Sequence, residues 1–448
     1  MPTSLDQLGE FDPELSPTPK LPTTQRALLS GGRRAAGMIA SFFLAQGALQ
    51  SVQVLMGLFL VRKLSVDAYA QFSLAFGFQA TMSALMDLGF SSTIVPLVGD
   101  RRNDPALVGR YVRAAKHLRD RAFWILAPFA VIAFLGMMYK HHWSWSLQLL
   151  LLSSVLVTLY SSGRLSYNSA PLFIFGRLRE FYVPQTLSGL VRLTVYEVLR
   201  LLGALNAWTA AWLNALNVTV NGSLLGKESR KYVEWPKNDD PSTDRELLRY
   251  ILPATPAIIF AAFQAQISLF LISIFGQTAN IAEVAALGKL GQLFTVLMTF
   301  NVVVVEPYIA RLHRERLWST YIKLFSVAAI FCIPIVLIAF AVPAPFLWLL
   351  GSKYEGLAGL VGWVVLAACV NYLAGLVWIM NRARKWLFWS GTILEIVLLF
   401  VVQITFVMLV GIHTTKDAVL LTLASSSCYV IAHTYVAIYG FLRGPRKL

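Results

Sequence analysis

The chain alternates long apolar stretches with short polar pieces that are mostly basic. Twelve stretches are long enough to cross about 30 Å of hydrocarbon at about 1.5 Å rise per residue. They cover 36–61, 68–98, 122–139, 147–168, 181–201, 204–225, 249–275, 282–308, 320–342, 356–379, 386–411 and 417–441. The pattern predicts an all-α polytopic membrane protein with about twelve transmembrane helices in two six-helix bundles. A transmembrane barrel would instead show short segments of alternating polarity. The fifth and sixth stretches are crowded together, and Arg192, Glu197 and Arg200 interrupt their apolar pattern.

The polar pieces order the stretches. Residues 1–35 contain Pro, Ser and Thr without periodicity and read as a disordered cytoplasmic tail. A cleavable signal peptide does not fit, because the first apolar run is too long and begins too late. The charged piece 226–248 reads as a cytoplasmic linker between an N-terminal bundle (36–225) and a C-terminal bundle (249–441), with a cytoplasmic tail at 442–448. Even-numbered loops hold the basic clusters, such as Arg110, Arg113, Lys116 and Arg119, or Arg382, Arg384 and Lys385. Odd-numbered loops hold little more than Arg62, Lys63, Lys140, Lys353 and Lys416. This is the positive-inside pattern for an even number of spans with both termini cytoplasmic. Six spans per half give the halves the same orientation, as in parallel repeats. A faint echo between DAYAQFSLAFGFQ (67–79) and NIAEVAALGKLGQ (280–292) agrees with that arrangement.

Composition sharpens the class. The 448 residues are 57% hydrophobic and only 14% charged, whereas soluble domains carry about 25% charged residues. The net charge of +15 sits in short loops between apolar stretches, which argues for membrane lipids as partners and against nucleic acid. Cys332, Cys369 and Cys428 all lie in apolar stretches and form neither a disulfide framework nor a metal-ligand spacing. No phosphate-binding glycine loop and no histidine–carboxylate cluster is present, so the chain reads as a non-enzyme without a cofactor or metal.

Polar residues inside the apolar stretches are the candidate chemistry, because lipid cannot satisfy them. Gln46, Gln50 and Gln53 recur on the first stretch, and Gln79, Ser83 and Asp87 on the second. Gln264, Gln266 and Ser268 lie in the seventh, with Pro253 and Pro256 before them. The eighth carries Lys289, Gln292, Thr295 and Thr299. Lys289 either meets a phosphate of a substrate, or snorkels or pairs with Glu283 or Asp87. Asp87 either binds a coupling cation or proton, or caps a helix end before Gly89. Arg192 and Glu197 either supply a substrate-side charge and its partner, or mark a span boundary. Glu306 and Glu395 read as structural, His141 and His142 as exposed loop residues, and Trp143, Trp145, Trp348, Trp386 and Trp389 as interfacial anchors. The sequons at Asn217 and Asn221 fall inside or at the end of a span and read as empty.

The stretch VRKLSVDAYAQFSLAFGFQATMSALMDLGFSSTIV carries specific sequence. Arg62-Lys63-Leu64, Asp67-Ala68-Tyr69 and Asp87-Leu88-Gly89-Phe90 resemble the opening of bacterial polysaccharide-export flippases. These belong to the multidrug/oligosaccharidyl-lipid/polysaccharide exporter superfamily. Ala70 stands where those proteins often have Gly. The resemblance implies two six-helix bundles around a central cavity lined by spans one, two, seven and eight. It implies transport of a lipid-diphosphate-linked oligosaccharide from the inner to the outer leaflet of the bacterial inner membrane, for polysaccharide biosynthesis. Alternating access would draw on an H+ or Na+ gradient, with a glycan polymerase or glycosyltransferases as partners. The candidate cavity residues are then Gln46, Gln50, Gln53, Gln79, Asp87, Arg192, Gln264, Lys289 and Gln292. Alternatives are a cation-coupled multidrug exporter and a membrane-embedded glycan polymerase or ligase; the latter would need a large outer loop, and none is visible.

Overall fold

A computed structural model describes residues 45–101, 104–236, 240–252, 255–386 and 388–443. The expected tail at 1–35 lies outside the described residues. The chain divides into two units, Met1–Gln46 and Gly47–Leu448. In the smaller unit residues 45 and 46 are described, and both are helical. All that follows concerns the larger unit.

The fold is all-α, with no strand among the described residues. Over its described residues each predicted stretch overlaps a helix or a broken helix. The N-terminal half comprises α1 (47–63), α2 (Val66–Asp87), α3 (Phe90–Val98), α4 (Pro105–Tyr139), α5 (Trp145–Ile174), α6 (Leu178–Leu201) and α7 (Ala207–Ser229). After α8 (Pro241–Ile251), the C-terminal half comprises α9 (Thr255–Gln264), α10 (Ile267–Phe275), α11 (Thr278–Gln292), α12 (Thr295–Phe300), α13 (Glu306–Arg311), α14 (Arg314–Ala341), α15 (Ala344–Leu350), α16 (Ala358–Ala383), α17 (Trp389–Leu409) and α18 (Thr415–Arg443). Among the described residues, seven helices are long and apolar enough to cross a membrane, or nine if each bent pair counts as one span.

Local chemistry sets the helix ends. Ser65 caps α2 by accepting from the Ala68 amide. Asp104 and Asp240 cap α4 and α8, each followed by proline at the first helical position. Asn206 and Thr209 form a reciprocal box at the start of α7. The Asp87-Leu88-Gly89 motif ends α2. Leu88 takes φ 44° and Gly89 φ 84°, a left-handed pair that bends the chain by 40° into α3.

Small residues allow close helix contact where burying apolar surface provides no drive. On α7, a Cβ at Gly222 would sit 3.1 Å from the Ser161 carbonyl of α5, and one at Gly226 would sit 2.9 Å from the Asn168 amide. The Ser161 and Thr219 hydroxyls meet at 2.7 Å across the same seam. In the C-terminal half α16 packs against α14 and α18, and α17 rests on α18. Helix α2 joins the two halves. It packs on α4, α5 and α7 on one side and on α9, α10 and α11 on the other. The two echo segments, in α2 and α11, are therefore helices that touch across the halves.

Several loop expectations need correction. The basic piece before the third stretch is helical from Pro105, and Arg119 is buried, donating to the Leu159 carbonyl and the Ser162 hydroxyl. Segment 230–236 and α8 pack on α3 and the first half of α4 in a second apolar core around Leu107, Tyr111, Val233 and Leu247. Tyr111 donates to Glu246 and His117 meets Asp244 there. Trp386 is buried against Tyr321 and Phe441 rather than interfacial, because Gly440 leaves room for its ring.

Candidate functional site

The contact between α2 and the broken seventh span forms one wall of a cavity. Between α9 and α10, Ala265 and Gln266 form a turn without proline or glycine, and the Gln266 amide bonds Phe263 instead of continuing the helix. The Thr81 hydroxyl of α2 donates to the Ala262 carbonyl at 3.2 Å. A neighbouring helix thus satisfies a backbone group at the break, as membrane proteins require. Gly77 brings α2 close: a Cβ there would lie 2.5 Å from Leu269 Cδ2 and 3.1 Å from Gln266 Oε1. The eighth span is broken too, by a turn at Leu293–Phe294 and a π-helical stretch at Asn301–Val305.

These breaks border a cavity of about 650 Å³ lined by α2, α9–α12, α16 and α18. Among the described residues Lys289 is its single charged lining residue, and no described Asp or Glu lines it. The Lys289 ammonium lies 5.6 Å from the Phe76 ring centre and 3.4 Å from Gln292 Oε1. Its stem runs beside α1, where a Cβ at Gly57 would meet Cδ and Cε at 3.3 Å. Pairing with Glu283 or Asp87 does not occur. Glu283 accepts from the Thr415 hydroxyl, and Asp87 accepts from the Ser91 hydroxyl at 2.8 Å, across the helix break. The cation is therefore held by an aromatic face and an amide, both weaker than a carboxylate, and stays available to an anion.

Amides and hydroxyls supply the remaining polarity. Gln264 and Gln403 exchange hydrogen bonds at 3.0 and 2.7 Å, and Gln403 also donates to Ser425 at 2.9 Å. Ser268 and Thr422 meet at 2.8 Å. Sequence reasoning missed the α18 wall. Thr422, Ser425, Ser426 and Tyr429 line the cavity at three- and four-residue spacing, a signal that was present but lay beyond Asp417, in a part of the stretch without Asp, Glu, Lys or Arg. Tyr69, from the Asp67-Ala68-Tyr69 element, also lines it.

The structure divides the candidate residues. Gln264, Lys289 and Gln292 line the cavity. Gln50, Gln53, Gln79, Asp87 and Arg192 do not, and Gln46 belongs to the smaller unit. Gln79 and Arg192 instead form a polar chain inside the N-terminal bundle. Arg192 donates to Asn214 at 2.5 Å and approaches the Met56 sulfur at 3.0 Å, and Asn214 donates to Gln79 at 3.4 Å. Arg192 is buried, so its guanidinium belongs to the bundle and does not mark a span boundary. Glu197 pairs with Arg200 instead, at 2.5 Å.

Two latches tie the halves together at the face carrying the weakly basic loops. Arg62 donates to the Trp348 carbonyl at 2.5 Å and lies 4.8 Å from the Trp348 ring, while Lys353 donates to the Arg62 and Leu64 carbonyls. In the second latch Lys140 donates to the Ile274 carbonyl, and His141 bonds the Ser273 carbonyl at 2.9 Å and Thr278 at 3.1 Å. His141 is thus a half-buried contact rather than an exposed loop residue. Burial pushes its imidazole below the ordinary histidine range, aided by Lys140 and His142 and opposed by the Ser273 carbonyl.

No family model and no curated protein matches the sequence. Solved structures match the fold along most of its length. An inward-facing multidrug resistance MATE family transporter of the MOP superfamily aligns over 91% of this chain and 98% of its own, at TM-score 0.62 and 13% identity. The lipid II flippase MurJ, in an inward closed conformation, aligns over 90% and 89%, at TM-score 0.64 and 12% identity. The chain has the fold of the MATE and MurJ transporters. A third match, a MATE variant, aligns over 91% and 95% at TM-score 0.57 and 15% identity. At these identities the shared property is the two-bundle fold itself.

Proposed function

We propose that this chain is an alternating-access transporter that moves a lipid-diphosphate-linked oligosaccharide across the bacterial inner membrane, in support of polysaccharide biosynthesis. The observation that carries this reading is Lys289, the single charged residue lining the cavity among the described residues, with no carboxylate beside it on the described wall. A diphosphate supplies the missing anion and forms charge-assisted hydrogen bonds to the ammonium. Sugar hydroxyls suit the amide and hydroxyl walls of α9, α11 and α18. Both termini are cytoplasmic in this reading, so the latches at Arg62 and His141 close the outer face. An H+ or Na+ gradient drives the cycle, and a glycan polymerase and glycosyltransferases act before and after it.

A multidrug exporter is the second reading, favoured by the aromatic wall of Phe72, Phe76 and Phe294. The lone cation opposes cationic drugs by like-charge repulsion. In neither reading does this chain make or break covalent bonds.

The test is leaflet transfer of a fluorescent lipid-diphosphate oligosaccharide in liposomes containing the purified protein. The expected result is transfer above empty vesicles, falling at least about tenfold in Lys289→Gln, the equivalent of one charge-assisted hydrogen bond. Absence of transfer by the wild type refutes the glycan reading, and drug transfer without it establishes the second.

A further inference from the structure

Glu395 on α17 and His433 on α18 face each other inside the C-terminal bundle, with carboxylate Oε2 3.9 Å from imidazole Nδ1. Their side chains are 27% and 11% exposed. Among the described residues the Glu395 carboxylate has no hydrogen-bond donor and no other cationic neighbour, and it is the one titratable group on α17. The separation exceeds a hydrogen bond by about 1 Å, which one water or a small rotation fills.

The pair lies one helical turn from the cavity. Tyr429, which lines the cavity, precedes His433 by four residues, and their rings lie 6.1 Å apart at 26°. Thr422, Ser425 and Ser426 continue the same polar stripe along the cavity wall. On the other side, Glu395 stands six residues from the start of α17, about 9 Å from the helix end. The pair therefore sits between the cavity and the end of the bundle at which α17 begins.

We propose that Glu395 and His433 together form a proton-binding site whose occupancy sets the conformational equilibrium of the transporter. The proposal rests on the alternating-access reading but not on the chemistry of the cargo. With one proton the pair is neutral overall, whichever partner holds it. Without that proton a single negative charge remains in an apolar bundle, which is costly. Relief comes from fuller hydration of Glu395 than its 27% exposure gives, and so from movement of α17 against α18. A proton entering from one side thus favours one packing of α17, and its loss to the other side favours the alternative.

The other ionisable groups nearby are accounted for. Helix α18 adds Cys428, Tyr429, Tyr435 and Tyr439, with Arg443 over the Tyr439 ring and Lys416 and Asp417 at its far end. From α16, Asn381 donates to the His433 carbonyl, while Arg382 is engaged by Glu306. Helix α10 carries no titratable residue. On α11, Glu283 is engaged by Thr415 and Lys289 by Gln292 and Phe76.

The test reads conformation without any cargo. Spin labels at Lys63 and Glu355, both exposed, report the distance across the Arg62 latch in liposomes between about pH 5 and 9. The parent protein carries His141→Gln, so that the second latch does not titrate. The expected result is a distance population that titrates with pH in the parent and in Glu395→Asp, and is independent of pH in Glu395→Gln. In His433→Gln the midpoint is displaced by about one unit. A parent that does not titrate overturns the proposal, as does Glu395→Gln titrating like the parent. If Glu395→Gln fails to fold, an unchanged midpoint in His433→Gln overturns it equally.

Discussion

Replacing Lys289 by methionine separates a functional cation from a structural one. An ammonium inside a membrane helix costs about 2.5–3.5 kcal/mol on insertion scales. The water that a cavity of about 650 Å³ can hold lowers that cost. The Phe76 face at 5.6 Å returns about 0.5–2 kcal/mol. The Gln292 contact at 3.4 Å is long and returns little. With no carboxylate partner, Lys289 is a net liability to the empty protein of about 1 kcal/mol. Methionine keeps the length of the stem against Gly57 and removes the charge. Lys289→Met should therefore raise the melting temperature of the detergent-purified protein by about 1–2 °C, the shift expected of about 1 kcal/mol in a chain this long. The same variant should lose about 1.5–3 kcal/mol of anion binding, or roughly 10- to 150-fold. The paired assays are thermal unfolding of the empty protein and titration with inorganic pyrophosphate. A lowered melting temperature with unchanged pyrophosphate binding would refute the reasoning, because Lys289 would then be holding helices together.

Three further outcomes follow from the geometry. Gly77→Ala places a methyl 2.5 Å from Leu269 Cδ2 and should cost about 1–3 kcal/mol by overpacking. Amide exchange at residues 262–266 should rise with it, and unchanged exchange would show that α2 does not hold the α9–α10 break. Arg62→Ala removes the ring contact and the carbonyl bond at Trp348. Each is worth about 1 kcal/mol, so the Arg62 latch should open measurably more often by label distance at Lys63 and Glu355. For His141, burial favours the neutral ring when the latch is closed. Its contribution is complete above the ordinary value of about 6.5 and is lost as pH falls from there toward the lower latched value. In the Glu395→Gln background, labels across the His141–Ser273 contact should therefore separate on acidification below about pH 6.5, and should not when His141→Gln is added.

The sequence by itself determined the class and the register of the spans. Hydrophobic run length is a direct consequence of bilayer thickness, so each of the twelve stretches is helix or broken helix over its described residues. It also marked Gln264, Lys289 and Gln292, because a charge or amide in an apolar run stands out without any structure. Which face each polar residue takes depends on neighbouring helices, and only the tertiary structure decided that. Gln79 and Arg192 turned inward to Asn214, and Asp87 turned along its own chain to Ser91. The α18 wall carried no charge to draw attention. The Glu395–His433 pair joins helices whose residues are 38 positions apart, a distance that no local pattern spans. The span-two hairpin supplied the recognisable motif, but its position between the two halves, with Tyr69 on the cavity wall and Gly77 against the α9–α10 break, is a property of packing. A helix buried on both sides reads in sequence as merely apolar, and only its neighbours show that both halves pack against it.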